Sequence, residues 1–593
     1  MPGIGDWIGD PLTYVDNYLK QSSPDEYANK VSAFFNQKIF ESEDTKQWVP
    51  SLNCTPIHDL KPNSLVRFRC MVQDMFDPEH YYDTFESENV STGEKKLCCG
   101  RYRDVADESN FTPNFQGARS KDREVFYCVP VPAECSWVKQ KDKASCLSPR
   151  AAGSSKAANY KRGREDETVE MEVGGGDTWE SSKRIRSEDT VGAAESQNTA
   201  LPTRMSMNFP LPGETGPAVM VKLYDGAANK MKLNSIIEVY GIISTDPSLG
   251  LVSSDEMFSA EELKAHHPPP SLVPRLHAVH VSNIASSNPL ITSSTSVLTE
   301  KIQRESQSIR EDLLSVLEHA LCGDSLAAEY LLCHLLSSVY KREGSVAVGK
   351  LTLNLTRVPS AVSPLTSSLV ELLQSFVPNL YHLPLTLDNL NKLTFVPAKD
   401  HEANRLVSGV LQLPARTQLI LDETAMSPGQ LDTQGVTNLT ALGNLMQWQT
   451  VAYDFKFHPL NFETDVRVLT MSEGKSLLTS DVTVPLELSK DRSIEERHEA
   501  IKVFLSPVLL DSIRLYLTLL PDIEYELNMA QELQEDFVKC RQENKDDMTV
   551  EDFQRLLVLS RILAISYGQK TLNLDLWSKA KSMEVQRKLR LHS

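Results

Sequence analysis

Residues 141–205 constrain the architecture of this chain more than any other stretch, because they cannot build a core. They are rich in Ser, Ala, Gly, Lys and Glu, include the run Gly174-Gly175-Gly176, and hold few large apolar side chains. Such a segment buries too little apolar surface to offset the entropy lost on ordering it, so disorder is expected. Strand-like runs nevertheless stand on both sides. Upstream, Leu65–Val72 alternates apolar and polar residues for most of its length, and Val125–Val131 is a second such run closed by prolines. Downstream come Val219–Leu223 and Ile236–Ile243, the latter with Gly241 among β-branched residues, as suits a coiling strand of a small barrel. The reading is one OB-like β-domain split by an insert. An N-terminal helix, with Trp7, Leu12, Val15 and Leu19 at helical spacing, and the first strands occupy 1–140. The disordered insert occupies 141–205, and the remaining strands with a loop occupy 206–274.

The second half has a different rhythm. Residues 275–490 alternate short apolar strands (Arg275–Val281, Lys350–Leu355, Thr417–Leu421) with helices (Ser306–Leu321, Leu326–Tyr340), the pattern of an α/β layer fold. From Glu495 the pattern is helical to the end, giving a lid-like helical domain over 491–593. There Val503, Val508, Leu509, Ile513, Leu517 and Leu520 form one apolar stripe, and Thr549 stands as an N-cap before Glu551 and Asp552. A mixed multidomain protein is the expected class, in keeping with 593 residues.

The formal charge of −19 repels phosphates and argues against a primary role in binding nucleic acid. The local exceptions are Arg67-Phe68-Arg69 and Arg101-Tyr102-Arg103. Their alternation of cations and rings would suit a groove for single-stranded DNA, and equally a half-buried strand with a solvated face. No run of about 18 apolar residues predicts a membrane span, and the first twenty residues lack the charged and apolar regions of a secretory signal. Ten cysteines without a CxxC pair or zinc-like Cys/His spacing predict reduced, buried thiols and no metal. Inside the insert, Lys161-Arg162-Gly163-Arg164 and Lys183-Arg184-Ile185-Arg186 have the accessible basic character that an importin groove reads. Ser187, next to the second cluster, is a candidate phosphorylation site whose added charge would weaken that contact.

Three stretches of the second half resemble the ATPase core of MCM helicases. Gly323-Asp324-Ser325-Leu326-Ala327-Ala328-Glu329-Tyr330 is similar to the MCM P-loop, with Glu329 at the lysine and Tyr330 at the magnesium-binding serine. Gly409-Val410-Leu411-Gln412-Leu413 followed by Leu419-Ile420-Leu421-Asp422-Glu423 resembles the Walker B region and keeps both acids. Thr549–Ser560 resembles a lid helix in which Glu551 stands at the position of an arginine. A phosphate site needs cations, N–H groups and a hydroxyl on Mg²⁺, so two carboxylates and a phenol at those places imply a pseudo-ATPase with no cofactor.

The whole chain resembles the MCM-binding protein family. The resemblance is carried by Trp48–Asn53, Lys61–Arg69, Met71–Pro78, Phe126–Pro132, Asn208–Glu214 and Ser408–Pro414. It implies a nuclear, non-enzymatic partner of MCM helicase subunits, acting on their assembly, stability or removal from chromatin in support of DNA replication and sister-chromatid cohesion. It implies a degenerate AAA+-like α/β domain behind the OB-like one.

Overall fold

The computed structural model describes residues 6–24, 26–90, 92–104, 111–147, 207–246, 260–291, 295–359, 364–489, 491–543 and 549–592. The insert's two basic clusters and Ser187 lie outside the described residues.

Three N-terminal helices come first, α1 (Pro11–Gln21), α2 (Tyr27–Ile39) and α3 (Glu43–Trp48). Val15 and Leu19 are buried as their spacing requires, while Trp7 and Leu12 are partly covered. Together with Tyr27, Val31, Phe35 and Ile39 they pack on Leu65, Tyr81, Tyr240 and Ile242 of the barrel wall.

The barrel is made by β1 (Leu65–Asn89), β3 (Phe111–Val129), β4 (Val219–Leu223), β5 (Ile236–Ser244) and β6 (Arg275–Asn283), with β2 (Lys95–Cys99) added to the outer end of β1. β1 is long enough to pair with β5 over its first seven residues and with β3 over the rest. β3 pairs with β4, β4 runs parallel to β6, and β6 returns antiparallel to β5. The circuit β1-β3-β4-β6-β5-β1 therefore closes, and within it those strands have no open edge, while the outer halves of β1 and β3 pair with each other beyond it. Phe68, Cys70, Val72, Phe126, Cys128, Val221, Val239 and Leu276 fill the interior. Gly241 sits at a register shift between β5 and β6. A Cβ there would lie 2.8 Å from the His277 carbonyl oxygen and 2.8 Å from Leu276 Cγ, so only glycine lets the two strands approach. Arg275–Val281 belongs to this barrel, which corrects the boundary at 275. Without that strand, β4 and β5 would each present an unpaired ladder. α4 (Ser136–Leu147) follows β3, and α5 (Ala260–His266) precedes β6.

The α/β unit starts with α6 (Thr295–Ala320) and α7 (Ser325–Leu336), followed by a small hairpin of β7 (Lys341–Glu343) and β8 (Val346–Val348). Then come β9 (Leu353–Thr356), α8 (Leu365–Phe376), β10 (Leu380–Pro384), α9 (Leu387–Lys392), β11 (Ala398–Asp400), β12 (Arg405–Val407), β13 (Gln418–Asp422), α10 (Thr433–Trp448), β14 (Thr450–Asp454), β15 (Pro459–Glu463), β16 (Arg467–Met471) and β17 (Val482–Pro485). Five of these strands form an all-parallel sheet in the order β10-β13-β16-β9-β17. Every residue of β13 and β16 is buried, as a sheet covered on both faces demands. The remaining four pair as β12-β11-β14-β15.

The C-terminal helices are α11 (Ile494–Phe504), α12 (Pro507–Leu519), α13 (Ala530–Glu543), α14 (Val550–Ser566) and α15 (Leu574–His592). They do not stand apart as a lid. Ile513, Leu517, Leu559, Leu563 and Trp577 share one core with Leu313 and Leu317 of α6, Leu331 and Leu335 of α7, and Leu353 of β9. The cause is α7, which is apolar nearly all round and must be covered on every side. The boundary at 491 is corrected accordingly. The stripe read on α11 and α12 is also corrected in part: Ile513, Leu517 and Leu520 are buried, but Val503 and Val508 are 86% and 77% exposed.

Candidate functional site

Gly323 stands between two helices. A phosphate loop joins a strand to a helix, whereas here α6 ends at Ala320 and α7 starts at Ser325. The assignment of this segment as a P-loop is therefore corrected by topology. Its local chemistry is punctuation. The Gly323 N–H bonds the Glu318 carbonyl and the Cys322 N–H bonds that of His319, with Cys322 left-handed at φ 55° and Gly323 at φ 90°. This is the paired closure of a helix C-terminus. Asp324 then caps α7, accepting from the Ala327 N–H at 3.0 Å. Its other oxygen accepts from the Glu487 N–H at 2.9 Å and from Arg590 Nη1 at 2.7 Å. Ser325 is the exposed first residue of the helix.

Glu329 and Tyr330 face protein. Glu329 holds Arg310 on one oxygen and Lys579 Nζ at 2.6 Å on the other. Burial alone would lower the Arg310 pKa, but the Glu329 charge, together with Tyr567, Cys333 and Tyr516, carries it above the usual value. Tyr330 is fully buried and donates to Glu584 at 2.7 Å; burial, then the Glu584 charge, push its phenol far above the usual range. Glu551 is exposed in the first turn of α14, where a carboxylate suits the helix dipole.

Asp422 and Glu423 end β13 at the carboxyl edge of the parallel sheet, the side on which open α/β sheets bind ligands. Both are already engaged. Asp422 accepts from the Thr424 N–H at 3.0 Å and its hydroxyl at 2.6 Å, and His382 Nε2 lies 3.4 Å away. Burial would raise its pKa, but the nearby His382 ring and the bonds from Thr424 hold it below the usual carboxylate value. Glu423 accepts from Ser476 Oγ at 2.7 Å and the Leu477 N–H at 3.2 Å, with its pKa raised by burial. Among the described residues, no hydrogen bond or ion pair joins Asp422 or Glu423 to the Gly323–Tyr330 segment or to Glu551. The site residues read from the sequence thus fall into separate places.

The arginine–aromatic runs are likewise committed. Phe68 and Tyr102 are buried, Arg69 pairs with Glu134 and Asp142, Arg101 with Asp225, and Arg103 with Asp16. No group of three or more His, Cys, Asp or Glu placed to hold a metal occurs among the described residues. No single described helix is long and apolar enough to cross a membrane.

A cluster that the sequence did not single out lies where the barrel meets the α/β unit. Gln73 donates to the Leu406 carbonyl at 3.0 Å, and Gln412 donates to the Gln73 carbonyl at 2.8 Å. Asp74 accepts from the Leu406 N–H at 2.6 Å; burial pushes its carboxyl up to about 6 against that bond. Asn208 joins Gln73, Leu406 and Ser408. Nearby, Glu214 accepts from the Ala133 N–H at 3.1 Å and is pushed up to about 7 by burial. Gln73 and Asp74, Asn208 and Glu214, and Ser408 and Gln412 come from three segments that also carry the family resemblance. The available signal was polar residues recurring inside otherwise apolar motifs.

These features define a class: a mixed multidomain protein in which a closed barrel is fastened by buried polar contacts to a parallel α/β unit. The model of a family described as mini-chromosome maintenance replisome factor matches residues 35–591. Among curated relatives, the mini-chromosome maintenance complex-binding protein of Danio rerio is 40% identical over 99% of this chain and 98% of its own length. That of Homo sapiens is 39% identical over 100% and 98%, and that of Drosophila melanogaster 35% over 96% and 97%. The chain belongs to the mini-chromosome maintenance complex-binding family.

Proposed function

We propose that this chain binds the MCM helicase complex as a non-enzymatic nuclear partner, acting on its assembly, stability or removal from chromatin in support of DNA replication and sister-chromatid cohesion. Full-length kinship to relatives named for binding that complex supports the partner. The observation that carries the non-enzymatic reading is the carboxyl edge of the parallel sheet. In chain order its strands lie 2-3-4-1-5, an arrangement that supports an AAA+-like core, just as the closed five-stranded circuit supports an OB-like barrel. In such a core the phosphate loop follows the first strand. Here that connection is Arg357-Val358-Pro359-Ser360-Ala361-Val362-Ser363-Pro364, between β9 and α8. It contains no glycine and no lysine, and its two prolines lack the N–H groups that would cradle phosphate. Asp422 and Glu423 keep the Walker B places, yet they are spent on His382, Thr424 and Ser476.

Isothermal titration of the purified chain with Mg-ATP tests this reading, together with co-sedimentation with purified MCM complex. The expected result is a stable complex and no ATP binding; micromolar ATP affinity abolished by Asp422→Ala would overturn the pseudo-ATPase reading. For nuclear entry, neutralising Lys161, Arg162, Arg164, Lys183, Arg184 and Arg186 is expected to move the protein toward the cytoplasm. Phosphorylation at Ser187 is expected to weaken importin affinity in a peptide titration.

A further inference from the structure

The apolar stripe of α12 does not stop where the core stops. It runs from Leu520, Leu517 and Ile513, all buried, through half-buried Leu509 and Leu510 to Val508 in the open. Beyond the corner it continues with Phe504, 50% exposed, and Val503. The corner is a fixed shape. α11 and α12 meet there at 94°. The Leu505 N–H closes α11 on the Ile501 carbonyl at 2.9 Å, Ser506 caps α12 by accepting from the Leu509 N–H, and Pro507 fills its first position. A capped corner that holds three large apolar side chains in water is a knob in want of a socket.

Charge says what kind of socket. Glu495, Glu496 and Glu499 line the exposed side of α11, and Glu371 of α8 lies beside them. The nearby cations are already answered from within: His498 Nε2 is 3.2 Å and Lys502 Nζ 3.3 Å from Glu371. On the α12 side, Lys141 and Arg514 both hold Asp511. The α11 flank of the knob is therefore acidic, with three exposed glutamates, whereas the α12 flank, two cations on one aspartate, is not.

We infer that the α11–α12 corner, Val503, Phe504 and Val508 beside the acidic flank of α11, is the surface that docks into an apolar groove edged on that side by lysine or arginine on an MCM subunit. The inference rests on the MCM-binding reading above. Its test uses the full chain and purified MCM complex, with affinity measured by fluorescence anisotropy. Val503→Asp with Val508→Asp is expected to weaken binding at least tenfold and leave the melting temperature unchanged, since both positions are exposed. Glu495→Lys with Glu499→Lys is expected to weaken binding and flatten its dependence on salt. If the wild-type chain binds and both variants bind equally well, the corner is overturned and the reading of the partner stands. If the wild-type chain does not bind at all, that reading itself fails. Sedimentation velocity supplies the remaining outcome: self-association of the wild-type chain, abolished by Val503→Asp with Val508→Asp, would make the occupant a second copy and overturn the inference.

Discussion

Placing a lysine at Glu329, where the sequence resemblance put a P-loop cation, is expected to damage the protein. Glu329 is the carboxylate between Arg310 and Lys579, and the Arg310 side chain is almost wholly buried over the Tyr567 ring at 4.3 Å. Removing one partner of a buried ion pair costs about 3–5 kcal/mol, because the other charge is left without compensation. Glu329→Ala should therefore lose about that much. Glu329→Lys should lose more: it sets a third cation beside two, and unit charges about 4 Å apart interact by roughly 4 kcal/mol at an effective dielectric near 20. Net stabilities are only about 5–15 kcal/mol. At about 2–4 °C per kcal/mol for a unit of this size, the alanine variant should melt on the order of 10 °C lower. Circular dichroism melts of the full chain measure this. Replacing Glu329 and Arg310 together by Met should recover much of the loss, since the one cation left without its carboxylate, Lys579, is 32% exposed and can turn to water. Unchanged melting of Glu329→Lys, or a gain of Mg-ATP affinity by that variant, would refute the structural role given to this residue.

Other consequences can be checked alongside. The Glu214 carboxyl, raised by burial to about 7, is protonated more readily in the folded than in the unfolded state, so its contribution is full at low pH and lost as pH rises through 7. The wild-type chain should lose about 1.4 kcal/mol between pH 6 and 8 from this group, a loss that Glu214→Gln removes in paired thermal melts. Gly241→Ala forces a methyl against the His277 carbonyl and should cost about 1–3 kcal/mol, read as a lower melting temperature. Gln412→Ala leaves the buried Gln73 carbonyl without its donor. It should cost about 1–3 kcal/mol and speed amide exchange at residues 405–412.

Much of the barrel was legible in the sequence because alternation and Gly241 act locally. The allegiance of Arg275–Val281 was not, since a strand's own residues do not say which neighbour it pairs with. Gly323-Asp324 misled for a related reason: glycine then aspartate closes one helix and caps the next as well as it opens a phosphate loop. The Asp-Glu ending of an apolar strand was read correctly as a strand end, but the groups that engage those acids are His382, Thr424 and Ser476, two of them on other elements. The Gln73–Gln412 contact spans 339 residues, beyond the reach of any periodicity.

The closed barrel also fixes an order of events during synthesis. β1 is made long before β5, the strand that pairs with its first seven residues, which begins about 170 residues later. At ribosomal speeds of about 5–20 residues per second, the first strand waits roughly 10–30 s for its partner. Throughout that interval Val66, Phe68, Cys70 and Val72 have no barrel to enter. The core around α6 waits longer still, because Trp577 and Ala580 are made about 260 residues after Leu313 and Leu317. A nascent chain of this protein therefore leaves apolar surface of α6 and α7 uncovered until α15 has emerged, and a premature stop within α14 or α15 withdraws support from a helix made some 250 residues before.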